Sequence, residues 1–172
     1  MKALVVYESM FGNTEEIARA IADGLGESVA VQLAEVSNAP VEPSPDVALI
    51  VVGGPTHAFS MSRTSTRMDA INRGATEGET EFGLRDWMAS LPSGQHTAKI
   101  ATFDTKIERM RFAPGSAAKG AAKAARRHGY DSAVQAESFY VREVDGPLVE
   151  GEVDRARAWA RQLAASMTRA PG

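Results

Sequence analysis

Cysteine is absent from the 172-residue chain, and histidine occurs only three times. The lack of cysteine excludes disulfides, thiolate metal ligands and a cysteine nucleophile. The three histidines, His57, His96 and His128, are scattered along the chain and show no metal-ligand spacing. We therefore expect no metal site in this protein.

Long apolar segments are also missing, since no run approaches the ~20 residues needed to span a membrane. The N-terminus lacks the pattern of a signal peptide, because Lys2 leads directly into a short apolar segment without a cleavage site. Hydrophobic residues make up 44% of the chain and charged residues 24%, which is ordinary for a soluble globular protein. We expect a cytoplasmic protein without a membrane span, folded as one domain over residues 1–172.

Basic residues are scarce in the first part of the chain. Residues 1–98 contain 6 Lys and Arg against 13 Asp and Glu, whereas residues 99–172 contain 13 against 9. A basic segment can attract nucleic acid or an acidic partner. No nucleic-acid motif accompanies this charge, so we favour a solvated helix face and expect no nucleic-acid partner.

An apolar segment near the N-terminus, residues 3–7, predicts a buried strand that turns sharply into a helix. The turn contains the small and polar residues Ser9, Gly12, Asn13 and Thr14. A strand that turns into a helix directs backbone N–H groups and the positive end of the helix dipole at one point. Gly12 allows close approach of the backbone, and the polar side chains add donors. This turn is therefore a predicted anion site.

No basic residue lies between Lys2 and Arg19, so neutral donors would hold an anion at this turn. A nucleoside triphosphate loop needs Gly-Lys-Ser/Thr at its end, and that sequence is missing. A dinucleotide-binding loop needs G-x-G-x-x-G, and only Gly12 is available. The remaining alternative is a simple tight turn in which Asn13 or Thr14 caps the helix.

The same segment resembles the phosphate loop of the flavodoxin family. The family pattern is an aliphatic strand ending in an aromatic residue, then Ser or Thr, a small residue three positions later, and Thr two positions beyond it. Here these positions hold Tyr7, Ser9, Gly12 and Thr14. The resemblance implies that the loop wraps the phosphate of flavin mononucleotide (FMN).

Five apolar segments alternate with helical patterns along the chain, which predicts an α/β fold with a parallel sheet and right-handed crossovers. The resemblance implies a flavodoxin-like three-layer sandwich, with strand order 2-1-3-4-5 and helices on both faces. The predicted strands are residues 3–7, 29–36, 47–52, 99–103 and 133–141. The predicted helices are residues 13–23, a stretch within 60–72, 84–91, 117–127 and 153–167.

Two further loops follow the third and fourth predicted strands, and in such sheets ligands sit at the carboxyl ends of the strands. The start Gly54-Pro55-Thr56 of the first resembles flavin quinone reductases more than electron-carrier flavodoxins. His57 is a candidate to stack on the flavin or to donate to its carbonyl edge. Phe59 fits an ordinary packing residue better than a stacking platform.

The loop after the fourth strand departs from the family pattern. Flavodoxins place a stacking Tyr there with acidic residues nearby, whereas this chain has Phe103 and only Asp104. Lys106, Arg109 and Arg111 follow, and positive charge near the flavin would ease its full reduction. We therefore lean towards two-electron reductase chemistry over one-electron carriage.

The resemblance implies that three groups of residues bind the cofactor, and no catalytic residue is assigned. The predicted cofactor-binding residues are Ser9, Met10, Phe11, Gly12, Asn13, Thr14, Pro55, Thr56, His57, Ala58, Phe59, Thr102, Phe103 and Asp104.

The sequence thus leads to an FMN-binding redox protein that carries electrons or uses NAD(P)H to reduce a small acceptor such as a quinone. Its implied partners are FMN and either NAD(P)H or a redox protein, and its oligomeric state stays open. The alternative is a flavodoxin-like module without FMN that acts in binding or regulation. A phosphoacceptor receiver domain is set aside, because it needs an acidic pair after strand one and an Asp at the end of strand three. The chain has Glu8 alone and Gly53 at these points.

Overall fold

A computed structural model describes residues 1–169 of the chain. Five strands form one parallel sheet in the order β2-β1-β3-β4-β5, which confirms the predicted fold class and strand order. The strands are β1 (Lys2–Tyr7), β2 (Ala30–Glu35), β3 (Val47–Pro55), β4 (Lys99–Ile107) and β5 (Glu137–Val141).

Helices cover both faces of this sheet, and apolar side chains alternate between two cores along the inner strands. One core lies between the sheet and the helices α1 and α5, and the other between the sheet and the helices α3 and α4. A short 3₁₀ turn, Glu108–Met110, follows β4. The α-helices are α1 (Asn13–Gly26), α2 (Thr64–Asn72), α3 (Leu84–Ser90), α4 (Ala117–Arg127) and α5 (Glu152–Thr168). Over the described part of the chain, no helix is both long enough and apolar enough to cross a membrane.

Helix α1 runs to Gly26, three residues past its predicted end at Asp23, where the sequence indicates a stop near Gly24 and Gly26. Gly24 lies where α1 crosses α5, and a Cβ atom there would be 2.5 Å from the carbonyl oxygen of Arg157. The glycine therefore permits close contact between two helices and does not end the first one.

Strands β3 and β4 are longer than predicted, and this difference changes which residues lie at the carboxyl edge of the sheet. The apolar runs stop near Val52 and Phe103, but parallel pairing continues through Gly54 with Asp104 and Pro55 with Thr105. Hydrogen bonding between neighbouring strands thus extends past the apolar segments. At the other edge, β5 begins at Glu137, four residues later than predicted.

Candidate functional site

The candidate site lies at the carboxyl edge of the sheet, where β1, β3 and β4 end. From β1 the chain passes outward to β2, and β3 pairs on the other side of β1, so this edge is the topological switch point. Three segments meet there: residues 8–14, 56–63 and 107–116.

The first segment forms the turn between β1 and α1, and two features determine its shape. Gly12 has φ of +91°, in the left-handed region that residues with a Cβ atom rarely adopt. The Ser9 Oγ atom accepts hydrogen bonds from the backbone N–H groups of Gly12, at 3.1 Å, and Glu15, at 3.3 Å. Ser9 therefore supports the turn with its oxygen atom.

Several backbone donors at this turn have no acceptor among residues 1–169. They are the N–H groups of Met10, Phe11, Asn13 and Thr14. The last two belong to the first turn of α1, where the helix itself provides no acceptor and the dipole favours negative charge. The turn thus presents neutral donors to an anion, as the sequence predicts.

The side chains of the same turn contact neighbouring loops. The Thr14 Oγ1 atom lies 2.7 Å from the Oγ1 atom of Thr105, and both residues are buried. The Asn13 side-chain amide donates to the carbonyl oxygen of Asp145, at 3.1 Å, in the segment after β5. Asn13 therefore offers its backbone N–H to the site, while its amide holds the turn against its neighbour.

Two adjoining cavities open beside the turn. The first measures about 60 Å³ and lies next to the free N–H groups, and the second measures about 160 Å³. They share Thr56 and Ile107 in their walls, so together they form one groove between the loops. The first is lined by Met10, Phe11, Asn13, Thr14, Pro55, Thr56, His57, Thr105, Ile107, Val141 and Val144. The second is lined by Thr56, Ala58, Phe59, Lys106, Ile107 and Met110.

The loop after β3 is a tight hairpin turn. His57 and Ser60 exchange two backbone hydrogen bonds, at 2.9 and 3.0 Å. Between them Ala58 and Phe59 have φ of 47° and 63°, although neither is glycine. Such strain persists only where the surrounding structure enforces it. The turn leaves the Phe59 side chain 49% exposed at the edge of the second cavity.

A buried network of polar side chains, formed by Glu8, Ser62 and Arg67, packs against the chain that follows this loop. The Glu8 carboxylate accepts from the Ser62 hydroxyl, at 2.6 Å, and from the Leu84 N–H at the start of α3, at 2.7 Å. Arg67, only 1% exposed, donates to the Ser62 hydroxyl and to the Thr80 carbonyl oxygen. Burial raises the pKa of the Glu8 carboxyl, while these hydrogen bonds and the Arg67 charge oppose that rise.

His57 lines the first cavity as a neutral ring. Burial, and then the charge of Arg67, lower its pKa from 6.5 to about 4. The His57 Nδ1 atom lies 3.1 Å from the Thr66 hydroxyl, which orients the ring. At neutral pH the side chain therefore contributes a hydrogen-bonding nitrogen and no charge.

The end of β4 and the loop after it carry three cations in different environments. Arg109 pairs with Glu143 at 2.9 Å, and both side chains are exposed. Arg111 stacks over the ring of Phe112, 4.9 Å from its centroid, and Phe112 is 88% exposed. Lys106 is only 6% exposed and points into the protein.

Five of the predicted site residues do not line the two cavities: Ser9 and Gly12, which shape the turn between β1 and α1, and Thr102, Phe103 and Asp104 on β4. Phe103 is fully buried in the core, where its ring packs edge-on against Phe139. The Thr102 hydroxyl donates to the carbonyl oxygen of Ala118. Asp104 accepts from the backbone N–H of Ala118 near the start of α4, and burial raises its pKa. Because β4 continues to Ile107, the fourth strand reaches the groove with later residues.

Several groove residues were not among those predicted from the sequence. For three of them a signal exists, because side chains in a strand alternate between faces: Phe103, Thr105 and Ile107 share one face and Asp104 and Lys106 the other. Reading β4 through its polar end would have found Thr105, Lys106 and Ile107, whereas the others come from segments outside this strand. Those missed are Thr105, Lys106, Ile107, Met110, Val141 and Val144.

Known proteins resemble this chain in sequence and in fold. The model of the flavodoxin family, described as Flavodoxin, matches residues 5–113. No curated protein sequence matches the chain.

Solved structures of flavodoxins resemble the whole fold. A flavodoxin from the domain Archaea superimposes with a TM-score of 0.65 at 20% identity, covering 98% of this chain and 100% of its own. The oxidised flavodoxin 2 from Bacillus cereus gives a TM-score of 0.63 at 20% identity, covering 96% of this chain and 99% of its own. Likeness at this level of identity shows the shared fold.

Proposed function

Because the chain belongs to the flavodoxin family, whose proteins bind FMN, we propose that it is a redox protein that holds FMN in the groove and uses NAD(P)H to reduce a small acceptor such as a quinone. The observation that carries this proposal is the pair of adjoining cavities. One end presents unpaired backbone donors at a helix N-terminus, and the other end lies between two loops with exposed aromatic side chains.

The residues of the first cavity fit a phosphate group. The free N–H groups of Met10, Phe11, Asn13 and Thr14 supply four neutral donors, and the dipole of α1 favours the negative charge. Gly12 leaves the approach to these donors free of a side chain. The hydroxyl of Thr14 can donate to the same phosphate if Thr105 donates to Thr14.

The residues around the second cavity fit a flat ring system. Phe59 projects from the turn after β3, and Phe112 projects from the loop after β4. Aromatic side chains stack on planar ligands, and these two lie on loops that border the same groove. When bound, FMN supplies the redox chemistry, while the protein binds it, orients it and sets the surrounding charge.

The charges around the groove support two-electron reductase chemistry over one-electron transfer. Lys106 at the end of β4 and Arg111 in the loop after it are cations, and Arg111 has no carboxylate partner within residues 1–169. His57 is neutral at physiological pH. Positive charge near the ring stabilises a flavin that gains negative charge, which favours hydride acceptance from a nicotinamide.

The first test is the binding of FMN. Titrating flavin-free protein with FMN should quench flavin fluorescence at one equivalent and give a yellow complex. Absence of binding would favour the alternative, a flavodoxin-like module without cofactor.

Once the complex is formed, NADH or NADPH oxidation coupled to a benzoquinone tests whether the protein is a reductase. A complex without such turnover would be an electron carrier.

Gly12→Val tests the phosphate end of the groove. The variant places a β-branched side chain at φ of +91° and within 3.4 Å of the Glu77 carboxylate, so FMN binding should be lost. Gly74→Val is the matched control, because Gly74 has φ of +98° but nothing within 4 Å of its Cβ position. Equal FMN affinity in the two variants would show that the phosphate does not bind at this turn.

A further inference from the structure

Lys106 is a buried cation at the end of β4. Its side chain is 6% exposed and lies on the same face of the strand as Asp104, under the start of α4. Lysine is seldom buried to this extent unless its ammonium group is paired.

The Lys106 ammonium group has no acidic partner in the described part of the chain. Its Nζ atom donates to the carbonyl oxygen of Ala113, at 3.0 Å, and lies 3.5 Å from that of Gly115. No carboxylate comes within 4.0 Å of it, as the ion pairs of residues 1–169 show. The Asp104 carboxylate, two residues away, accepts from Ala118, and its burial favours the neutral form.

Desolvating an ammonium group is costly, and carbonyl oxygens compensate for it only in part. Even a buried ion pair can often be replaced by apolar side chains of similar volume at no cost to stability. The stability of the fold therefore does not explain a lysine at this position. A negatively charged ligand that binds beside it would explain the lysine.

Lys106 lines the second cavity, between the hairpin turn after β3 and the loop after β4. The two loops touch near it, since a Cβ atom on Gly115 would lie 2.8 Å from the Phe59 carbonyl oxygen. The cavity joins the phosphate end of the groove through Thr56 and Ile107. A ligand whose phosphate occupies the first cavity would extend towards Lys106.

We propose that Lys106 is the counter-cation for the negative charge that FMN acquires on full reduction, and that it thereby selects two-electron chemistry. This inference rests on the proposed function. Hydride transfer from a reduced nicotinamide moves two electrons and one proton to the flavin, leaving an oxidised nicotinamide cation and adding one negative charge to the flavin ring. The buried ammonium group stabilises that charge and does little for the neutral oxidised ring.

The test compares Lys106→Met with the parent protein and with Lys119→Met, which removes an exposed cation from α4. The affinity for oxidised FMN and the two-electron midpoint potential of the complex are measured for each. In Lys106→Met the affinity for reduced FMN should fall at least tenfold more than that for oxidised FMN. A tenfold difference lowers the midpoint by about 30 mV. Lys119→Met should keep the parent potential.

Lys106→Gln separates charge from hydrogen bonding, because its amide can still donate to the Ala113 carbonyl oxygen. It should lower the potential as Lys106→Met does. Flavin-free Lys106→Met should melt at the parent temperature or above it.

A different set of results would overturn the inference. If the affinities for oxidised and reduced FMN fall equally and the flavin-free variant melts at a lower temperature, Lys106 only stabilises the loop after β4. An unchanged potential would mean that the flavin charge lies elsewhere. If the parent protein binds no FMN, the proposed function fails first, and the inference fails with it.

Discussion

At the scale of single residues, the hydroxyl pair of Thr14 and Thr105 links the phosphate turn to β4. Each hydroxyl has one proton, so one of the two donates across the 2.7 Å contact and the other is left with its proton for another acceptor. Which residue keeps that proton decides whether Thr14 is a phosphate ligand.

We expect Thr14→Val to weaken FMN binding roughly ten- to a hundredfold, since a hydrogen bond to a charged group is worth about 1.5–3 kcal/mol. Riboflavin lacks the phosphate, so its affinity should hardly change. Fluorescence titration with both flavins measures the difference.

Thr105→Val is the control, because it removes the same contact from the other side. It should weaken FMN less than Thr14→Val does. If both variants lose affinity for FMN and for riboflavin to the same extent, the hydroxyl pair only stabilises the turn, and Thr14 makes no contact with the phosphate.

His57 links the groove to the pH dependence of folding. Its pKa is about 4 in the folded protein and near 6.5 in an unfolded chain. Between these two pH values the imidazole is therefore protonated in the unfolded state and neutral in the folded state. This contribution to stability is present above pH 6.5 and is lost as the pH falls towards 4. Partial exposure of the ring limits it to about 1–2 kcal/mol.

His57→Gln should therefore lose less stability than the parent between pH 7.5 and pH 4.5. Urea unfolding at the two pH values gives the free energies. An identical loss in both proteins would mean that the folded state protonates His57 as readily as the unfolded chain does.

At the scale of elements, the crossing of α1 and α5 depends on Gly24. A Cβ atom there would lie 2.5 Å from the Arg157 carbonyl oxygen and 2.9 Å from the Ala160 Cβ atom. The helices would have to move apart, and overpacking of this kind costs about 1–3 kcal/mol.

Gly24→Ala should lower the free energy of unfolding although alanine is the better helix former by about 1 kcal/mol. Gly26→Ala, at the end of the same helix, has nothing within 4 Å of the new Cβ atom and should be neutral or stabilising. Chemical denaturation of both variants measures the contrast. A stabilised Gly24→Ala would mean that the helices separate without cost.

At the scale of the whole molecule, the two tryptophans report on the two cores. Trp87 is fully buried in the core beneath α3 and α4. Trp159 packs against the core beneath α1 and α5, with its ring 5.9 Å from that of Phe139. Both cores contain side chains from β1, β3 and β4, so we expect residues 1–172 to fold as one domain in a single cooperative transition.

Variants with one tryptophan each test this expectation. In Trp87→Phe the fluorescence follows Trp159, and in Trp159→Phe it follows Trp87. Within each variant the fluorescence and circular dichroism transitions should share one midpoint in urea. Separate midpoints would show that the two faces of the sheet unfold independently.

The fold class and the position of the predicted anion turn can be read from the sequence alone. Apolar segments and helical periodicity alternate strongly enough to predict a parallel sheet, and the turn from Ser9 to Thr14 lies within one short stretch of chain. Features of this kind depend on neighbours in sequence, so local chemistry specifies them.

Only the tertiary structure decided which side chains face the groove. The extension of β4 past Phe103 depends on hydrogen bonds to β3 and β5, which are distant in sequence, and it buries Asp104 while bringing Lys106 to the cavity. Gly24 likewise has its role only because α5 crosses α1 at that residue. Burial and partner contacts arise when distant segments pack together, so neither the apolar pattern nor the motif spacing specifies them.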